Sequence, residues 1–261
     1  MVSDPVSRKR VFITGASSGL GEALAREYAA RGATLGLLAR RAEPMQVLVA
    51  ELPGEHRVFV ADVGDARAIG DAATSFVDEF GVPDIVIANA GVSVGTLTEH
   101  AEDLDAFERV LRTNLFGMAA TFQPFVEPMR SRGSGRLVGI ASVAGIRGLP
   151  GAGAYSASKA GALAYLESLR VELHGSGVRV VTVAPGYIRT PMTAINPYPM
   201  PFILSADEAA RRIAGIIDRG RRYAVVPWQM GVVARVLRIL PRSLFDVLFA
   251  RAGRKPRNLP L

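Results

Sequence analysis

Tyr155 and Lys159 lie four residues apart in a segment that predicts a helix, so their side chains share one face, one turn apart. A free phenol has a pKa of about 10, too high for efficient proton transfer near neutral pH. An ammonium roughly 5 Å away favours the phenolate by about 3 kcal/mol at an effective dielectric constant of about 20, or about two pKa units. The pair therefore predicts a general acid and base, although this spacing is also common on solvated helix faces.

A glycine-rich turn lies near the start of the chain. Residues 11–14 predict a strand, residues 22–30 predict a helix, and Gly15-Ala16-Ser17-Ser18-Gly19-Leu20-Gly21 lies between them. Glycines let the backbone approach a pyrophosphate, and a helix N-terminus offers free N–H groups to the anion. Strand, turn and helix in this order predict a dinucleotide site, with the spacing G-x-x-x-G-x-G in place of the common G-x-G-x-x-G.

Two cations follow the second predicted strand. Residues 35–39 form this strand, and Arg40 and Arg41 stand about where an NAD-binding protein has a carboxylate for the ribose 2′-hydroxyl. An aspartate would repel a 2′-phosphate, whereas a guanidinium binds it through charge-assisted hydrogen bonds. The sequence therefore predicts NADP(H) in preference to NAD(H). The alternative is that both arginines are simply solvated.

The next two predicted strands also end in residues suited to a ligand. Residues 58–61 lead into Asp62 and Val63, where the carboxylate either accepts a hydrogen bond from an adenine amino group or caps a turn. Residues 84–88 lead into Asn89-Ala90-Gly91, whose small residues let a ligand lie close. Open parallel sheets bind cofactors at the carboxyl ends of their strands, so both segments are candidate contacts.

Two further polar residues are candidates for the reaction itself. Ser142 follows a predicted strand at residues 137–141, where it either meets Tyr155 over one pocket or forms a turn. Asn114 lies among apolar neighbours in a predicted helix that includes residues 107–122. A buried amide of this kind is normally hydrogen-bonded locally and structural.

Short apolar strands alternate with helices along the chain, which predicts an α/β fold with a doubly wound parallel sheet flanked by helices on both faces. The sixth strand, residues 178–184, closes in Pro185-Gly186. We interpret residues 1–261 as a single Rossmann-like domain. The apolar, proline-punctuated residues 187–204 favour a substrate lid over an ordinary surface loop.

Composition excludes several classes of site. The chain has no cysteine, and its three histidines lack zinc-ligand spacing, so we expect no metal centre. The first ten residues hold no apolar run, and no segment approaches the roughly 20 apolar residues that span a bilayer. We therefore expect a cytoplasmic protein without a nucleic-acid partner.

The net charge of +7 is concentrated near the C-terminus. Residues 211–261 contain twelve arginines and lysines against Asp218 and Asp246. Within this region a basic tail at residues 228–261 includes two predicted helices, residues 228–240 and 243–252, in which arginines alternate with apolar residues. A solvated arginine surface, weak association with an anionic membrane, an oligomer interface and a wall of the substrate pocket all remain open for this tail.

In combination these motifs resemble those of the short-chain dehydrogenase/reductase family. The resemblance rests on Thr14-Gly15-Ala16-Ser17-Ser18-Gly19-Leu20-Gly21, Asn89-Ala90-Gly91, and Tyr155 with Lys159, in this order and spacing. Ser142, Asn114 and Pro185-Gly186 also fall where that family has them, and the similarity covers about residues 10–190.

The resemblance implies reversible hydride transfer between the nicotinamide cofactor and a carbonyl or secondary alcohol. With the two arginines, the expected cofactor is NADP(H). The apolar loop favours an apolar substrate. Tyr155 would exchange a proton with the substrate oxygen, Lys159 would lower the phenol pKa and bind the nicotinamide ribose, Ser142 would polarise the carbonyl, and Asn114 would hold a water in the proton relay. The alternative function is a non-catalytic dinucleotide-binding sensor or scaffold.

The resemblance also implies a cofactor-binding set and an oligomer. The predicted cofactor-binding residues are Gly15, Ser17, Ser18, Gly19, Leu20, Gly21, Arg40, Arg41, Asp62, Val63, Asn89, Ala90, Gly91, Tyr155, Lys159, Pro185, Gly186, Ile188 and Thr190. Family members commonly pair the helices that correspond to residues 114–129 and 155–174, so we expect a homodimer or homotetramer.

Overall fold

The computed structural model describes residues 8–259. Residues 1–7, which make up most of the ten-residue stretch in which no signal segment is expected, lie outside the described part. Seven parallel strands form the central sheet, and two short strands form a separate parallel pair. In chain order the strands are β1 (Arg10–Thr14), β2 (Thr34–Ala39), β3 (His56–Val60), β4 (Ile85–Ala88), β5 (Gly135–Ile140), β6 (Val178–Pro185), β7 (Ile188–Arg189), β8 (Leu204–Ser205) and β9 (Tyr223–Val226).

Helices cover both faces of the sheet. They are α1 (Gly19–Ala30), α2 (Ala42–Glu51), α3 (Ala66–Phe80), α4 (Asp103–Leu111), α5 (Gly117–Arg132), α6 (Gly153–Glu172), α7 (Pro191–Ala194), α8 (Ala206–Asp218), α9 (Trp228–Ile239) and α10 (Arg242–Phe249). A π-helical turn, Arg112–Phe116, joins α4 to α5, and a 3₁₀ turn, Val143–Gly145, follows β5. The predicted fold class, a single doubly wound α/β domain, is confirmed.

The order of the central sheet is β3-β2-β1-β4-β5-β6-β9. The chain first adds strands on one side of β1 and then, from β4 onward, on the other. At such a reversal the connections leave β1 and β4 in opposite directions, and a crevice opens beyond their carboxyl ends. The glycine turn after β1 and Asn89-Ala90-Gly91 after β4 both lie at this crevice.

Alternating residues of the strands build two cores, because successive side chains point to opposite faces of a sheet. Val11 and Ile13 of β1 pack into the core beneath α1, α2 and α8. Phe12 points to the other core, beneath α3, α5 and α6. Its ring centroid lies 5.7, 5.5 and 5.0 Å from those of Phe59, Phe76 and Phe125. Burial on both faces explains why the strands are continuous apolar runs.

Three local expectations need correction. Residues 187–204 are not uniformly irregular, because β7, α7 and the start of β8 lie within them. The helix that carries Asn114 is interrupted by the π-helical turn. The spacing of Ser205 and Glu208 predicts a capping box at the start of α8. Ser205 accepts a hydrogen bond from the backbone N–H of Glu208, but the Glu208 side chain forms an ion pair with Arg212 one turn later and does not complete the box.

Candidate active site

A cleft of about 310 Å³ lies at the carboxyl ends of the central strands. It brings together all of the predicted site residues except Gly21 and Asn114. Those that line it are Gly15, Ser17, Ser18, Gly19, Leu20, Arg40, Arg41, Asp62, Val63, Asn89, Ala90, Gly91, Ser142, Tyr155, Lys159, Pro185, Gly186, Ile188 and Thr190. The glycine turn near the N-terminus and residues 185–190 therefore line the same cleft.

The glycines of the turn are required by backbone geometry. Gly15 and Gly19 have φ angles of +69° and +60°, in the left-handed region that other residues rarely adopt. A Cβ atom on Gly15 would lie 2.7 Å from the Cα atom of Ala90, and one on Gly21 would overlap the carbonyl oxygen of Gly15. Gly21 therefore shapes the turn although it does not line the cleft, and its contact with a cofactor stays a prediction.

Asn89 fastens the end of β4 to the glycine turn. Its Nδ2 donates to the carbonyl oxygens of Thr14 and Gly15, at 3.1 and 3.2 Å. In return the hydroxyl oxygen of Thr14 accepts from the backbone N–H groups of Asn89 and Ala90, at 3.2 and 3.3 Å. These four bonds fix the floor of the cleft and occupy the donor group of the Asn89 amide.

Arg40 and Arg41 place two guanidinium groups at one end of the cleft. Arg41 Nη2 donates to Ser17 Oγ of the glycine turn at 3.2 Å. Arg40 Nη1 lies 4.0 Å from Asp62 Oδ2, and both side chains are about half exposed. Asp62 Oδ1 also accepts from the backbone N–H of Gly64 at 2.7 Å, so Asp62 forms a turn as well as lining the cleft.

Ser142, Tyr155 and Lys159 line the cleft together. Lys159 is only 3% exposed, and its Nζ donates to the carbonyl oxygen of Ile140 at 2.8 Å. The same Nζ lies 5.9 Å from the centre of the Tyr155 ring. Ser142 Oγ accepts from the backbone N–H of Ala144 at 3.1 Å, so it both caps the 3₁₀ turn and lines the cleft.

The expected lowering of the Tyr155 pKa is not found. Burial raises the pKa of Tyr155, and the neighbouring Ser142 hydroxyl only partly opposes it. Burial also lowers the pKa of Lys159 to about 8. The Coulomb estimate counts only the attraction between the two charges and leaves out the cost of removing them from water. Lys159 is buried and Tyr155 is partly buried, so desolvation disfavours the charged forms of both groups.

Asn114 does not line the cleft, but its side chain links two segments that do. Its Oδ1 accepts from the backbone N–H of Val92 at 2.8 Å, and its Nδ2 donates to Val92 O and Ser158 Oγ, both at 3.0 Å. Ser158 Oγ in turn donates to the carbonyl oxygen of Tyr155 at 2.8 Å. Local hydrogen bonds therefore hold the side chain in place, as is usual for a buried amide, and the water-holding role of Asn114 stays a prediction.

Sequence reasoning missed two residues that hold the loop at residues 187–204 in place. Thr193 Oγ1 donates to the carbonyl oxygen of Ile188 and accepts from the backbone N–H of Thr190, which the spacing Thr190-Pro191-x-Thr193 would have indicated as a helix cap. Lys255, only 8% exposed, donates from Nζ to the carbonyl oxygen of Met192 at 2.9 Å. No local pattern reveals this second contact, because it joins residues far apart in the chain.

The burial of Lys159 makes stability depend on pH. The unfolded chain keeps the lysine proton up to about its ordinary pKa of 10.5, whereas the folded protein releases it near 8, so the penalty for burying the charge is complete below pH 8 and disappears as pH rises to 10.5. Between about pH 7 and pH 10.5, the unfolding free energy of wild type minus that of Lys159→Met should therefore rise by about 3 kcal/mol.

Urea denaturation at the two pH values measures this difference. Lys9→Met, at an exposed lysine paired with Asp218, is the matched control for loss of a lysine on the surface. A difference between wild type and Lys159→Met that does not change with pH would contradict the account.

The residues of the cleft fit a dinucleotide. The turn from Gly15 to Gly21 packs so closely on neighbouring backbone that only glycine fits at Gly15 and Gly21, and Arg40 and Arg41 supply charge at the cleft. Within residues 8–259 no group of three or more histidine, aspartate or glutamate side chains is arranged to hold a metal ion. The backbone of the glycine turn and the two guanidinium groups suit an organic anion.

Comparisons with known proteins agree with this geometry. Residues 9–197 match the family described as short chain dehydrogenase. The chain is 38% identical to an uncharacterized oxidoreductase of Myxococcus xanthus, over 94% of this chain and 98% of that protein. It is 34% identical to dehydrogenase/reductase SDR family member 7B of Bos taurus, over 95% and 82% of the two chains. The structure is similar, with a TM-score of 0.75 and 27% identity, to an alcohol dehydrogenase from the archaeon Thermococcus sibiricus complexed with 5-hydroxy-NADP, covering 84% of this chain and 96% of that one.

Proposed function

Because the chain belongs to the short-chain dehydrogenase/reductase family of oxidoreductases, we propose that it transfers a hydride reversibly between NADP(H) and the carbonyl or secondary alcohol of an apolar substrate. One observation carries the proposal: Ser142, Tyr155 and Lys159 line the same cleft as the glycine turn and the two arginines. A non-catalytic sensor would need the turn and the arginines, but it would have no use for a buried phenol beside a lysine.

Tyr155 exchanges the proton. When bound, the nicotinamide ring supplies or accepts the hydride. Tyr155 Oη donates a proton to the carbonyl oxygen during reduction and takes it from the hydroxyl during oxidation, while Ser142 donates a hydrogen bond that holds the same oxygen. Lys159 opposes the burial penalty on the phenolate with its charge, and a bound cofactor that offered acceptors to its free N–H groups would keep it protonated.

The proton reaches Tyr155 through the protein. Both donors of the Asn114 amide and one acceptor site of its oxygen are engaged by Val92 and Ser158, so we assign the water-holding role to its backbone carbonyl. Asn114 lies in the π-helical turn Arg112–Phe116, and such turns shift the regular hydrogen bonds of a helix and are frequent at functional sites. A water held there would connect Lys159 with solvent.

The cofactor assignment rests on charge. Arg40 and Arg41 at the end of β2 bind the 2′-phosphate, the first turn of α1 binds the pyrophosphate, and Asp62 and Val63 contact the adenine. Ile188 and Thr190 contact the carboxamide of the nicotinamide. The similar archaeal alcohol dehydrogenase is complexed with 5-hydroxy-NADP, which supports the preference for NADP(H).

The substrate assignment rests on the loop at residues 187–204. Met192 lines the cleft, and the rings of Tyr187 and Tyr198 lie 6.5 Å apart within the loop. These large side chains favour an apolar carbonyl compound over a sugar or an amino acid. We place the reaction in the cytoplasm, where NADPH is available.

Oxidation of NADPH against a panel of apolar aldehydes and ketones tests the proposal. We expect turnover with at least one class of apolar carbonyl compound and slower turnover with NADH. Tight binding of NADPH, with neither turnover of any carbonyl compound nor oxidation of any matching alcohol, would favour a sensor or scaffold.

We also propose that the protein is a homodimer or homotetramer built on α5 and α6. Ala157, Ala164 and Val171 of α6 are exposed and seven residues apart, so they form a stripe of small and apolar side chains suited to close helix packing. Light scattering at micromolar concentration should give a dimer or tetramer, and Ala164→Arg should dissociate it along this face. A wild type that remains monomeric would contradict the proposal.

A further inference from the structure

Helix α9 has two apolar faces. Within the described part of the chain, only one of them is buried against other residues. Met230 and Ala234 are buried against Val143, which follows the active-site Ser142. On the opposite side, Trp228 and Ile239 are 70% and 80% exposed, and Val232 and Val236 between them are also exposed. Their spacing of four, four and three residues places these four side chains in one stripe along the helix.

Helix α10 repeats this arrangement. Phe245 is buried and stacks on Phe249 at a centroid distance of 4.3 Å. Leu244 and Leu248 are exposed, and Val247 is 76% exposed. We call the seven exposed side chains of the two helices the outer face; it consists of Trp228, Val232, Val236, Ile239, Leu244, Val247 and Leu248.

Arg147 orients both parts of the outer face away from the protein. Its Nη1 donates to the carbonyl oxygens of Leu237 and Leu240 at the end of α9, at 3.2 and 3.0 Å. Its guanidinium carbon also lies 4.3 Å from the centre of the Phe245 ring on α10. The inner sides of both helices therefore pack against residues 143–147, so their outer stripes point toward solvent.

Positive charge surrounds the outer face. Between residues 228 and 254 five exposed arginines accompany a single acidic residue, Asp246. The arginines are Arg235, Arg238, Arg242, Arg251 and Arg254. Short helices that combine exposed tryptophan, leucine and valine with arginine have the chemistry of segments that lie in the plane of a bilayer surface.

We propose that the outer face docks peripherally on an anionic membrane surface. The apolar side chains enter the boundary between headgroups and acyl chains, and the arginines pair with lipid phosphates and carboxylates. No helix within residues 8–259 is long and apolar enough to cross a bilayer, so the contact lies on the membrane and does not span it.

Charge favours a lipid surface over a second copy of the chain. A two-fold symmetric contact presents the same patch from both subunits, and here it would bring five arginines of one copy against five of the other. Phospholipid headgroups supply the opposite sign and accommodate both helices without a shaped partner. An acidic protein would satisfy the charge as well, and the test separates it.

Docking would place the substrate loop beside the bilayer. Met230 of α9 packs on Gly186, where an added Cβ atom would come within 2.5 Å of Met230 Cγ. After α10, Gly253 packs on Tyr198, and Lys255 donates to Met192 O within the loop. An apolar substrate dissolved in the membrane would then reach the cleft directly. This consequence rests on the proposed function, whereas the docking itself does not.

Flotation of the purified full chain with vesicles tests the docking. We expect the protein to float with phosphatidylserine-containing vesicles but not with phosphatidylcholine alone, and to be released by added salt. Ile239→Ser with Val247→Ser should lower the partition coefficient by about 10-fold or more on the hydrophobic term. Arg235→Gln, Arg238→Gln and Arg242→Gln together should lower it roughly 100-fold.

The control is Val47→Ser with Leu104→Ser, because both residues are exposed, apolar and outside the outer face. Its flotation should equal that of wild type. Thermal unfolding and NADPH binding check that every variant is folded, and neither readout depends on catalysis.

Three results would overturn the docking proposal: absence of wild type from anionic vesicles, equal binding to neutral vesicles, or unchanged binding of the outer-face variants. A change of mass in light scattering for the outer-face variants, with no vesicle binding by wild type, would assign the face to a second copy. Absence from vesicles with an unchanged mass would leave an acidic protein as its partner.

Discussion

Replacing Tyr155 by Phe should lower kcat by about 10²- to 10⁴-fold, the usual contribution of a positioned general acid and base. The Tyr155 ring packs beside Val94, Val110 and Ala154, and phenylalanine keeps those contacts. Only the oxygen that carries the proton is lost. The dissociation constant for NADPH, measured by fluorescence titration, should therefore remain close to that of wild type.

Tyr165→Phe is the matched control, because Tyr165 lies on the same helix but packs into the core beneath α3 and α5. This variant should keep the wild-type kcat. A near-normal rate in Tyr155→Phe would show that another group carries the proton. An equal loss in both variants would indicate damage to α6 and not loss of a catalytic oxygen.

Replacing Ala39 by Asp together with Arg40 by Ala should invert the cofactor preference. A charge-assisted hydrogen bond from Arg40 to the 2′-phosphate is worth about 1.5 to 3 kcal/mol, so wild type should bind NADPH roughly 10- to 150-fold more tightly than NADH. In the double variant the new carboxylate repels the phosphate and accepts from the bare ribose hydroxyls. In wild type, Arg40 Nη1 lies 4.0 Å from Asp62 Oδ2. Removal of Arg40 therefore leaves the Asp62 carboxylate without its nearest guanidinium, which adds to the repulsion of the 2′-phosphate.

Fluorescence titration of both cofactors on wild type and the double variant measures the inversion. Arg57→Ala, at an exposed arginine on β3 that pairs with Glu79, controls for the loss of one positive charge. It should leave the ratio of the two dissociation constants unchanged. A wild type that binds both cofactors equally would show that Arg40 and Arg41 are only solvated.

Features set by neighbouring residues could be predicted from the sequence. The sequence predicts a helix over residues 66–80, and α3 has these bounds. Asp65 begins it by accepting from the backbone N–H groups of Arg67 and Ala68, and Gly81 ends it with a φ of +83°. The strands that lead into the cleft could be predicted for a similar reason, since continuous apolar runs followed by glycine or small polar residues are local signals.

Features set by distant contacts could not be predicted. The partners of Asn114 lie 22 and 44 residues away along the chain, and no periodicity indicates them. The predicted direction of the Tyr155 pKa shift is wrong because it depends on how completely the fold withdraws Tyr155 and Lys159 from water. Spacing on a helix gives the distance between two groups but not their desolvation.

The tail lies between these cases. Both of its helices are predicted by the sequence, because Val, Leu and Arg recur at helical spacing. Helix α9 is apolar on two sides, however, and only the contact of Met230 with Val143 determines which side faces solvent. The exposed outer face is therefore a result of tertiary packing.

Transfer of deuterium from NADPH labelled at its transferable nicotinamide position reports directly on hydride transfer by this protein. Wild type is incubated with an apolar ketone from the panel, and mass spectrometry of the product locates the label. We predict deuterium on the new carbinol carbon with wild type, and a loss of its rate of appearance by about 10²-fold or more with Tyr155→Phe. Tight binding of labelled NADPH by wild type, with no deuterium in any product across the panel, would contradict the assignment.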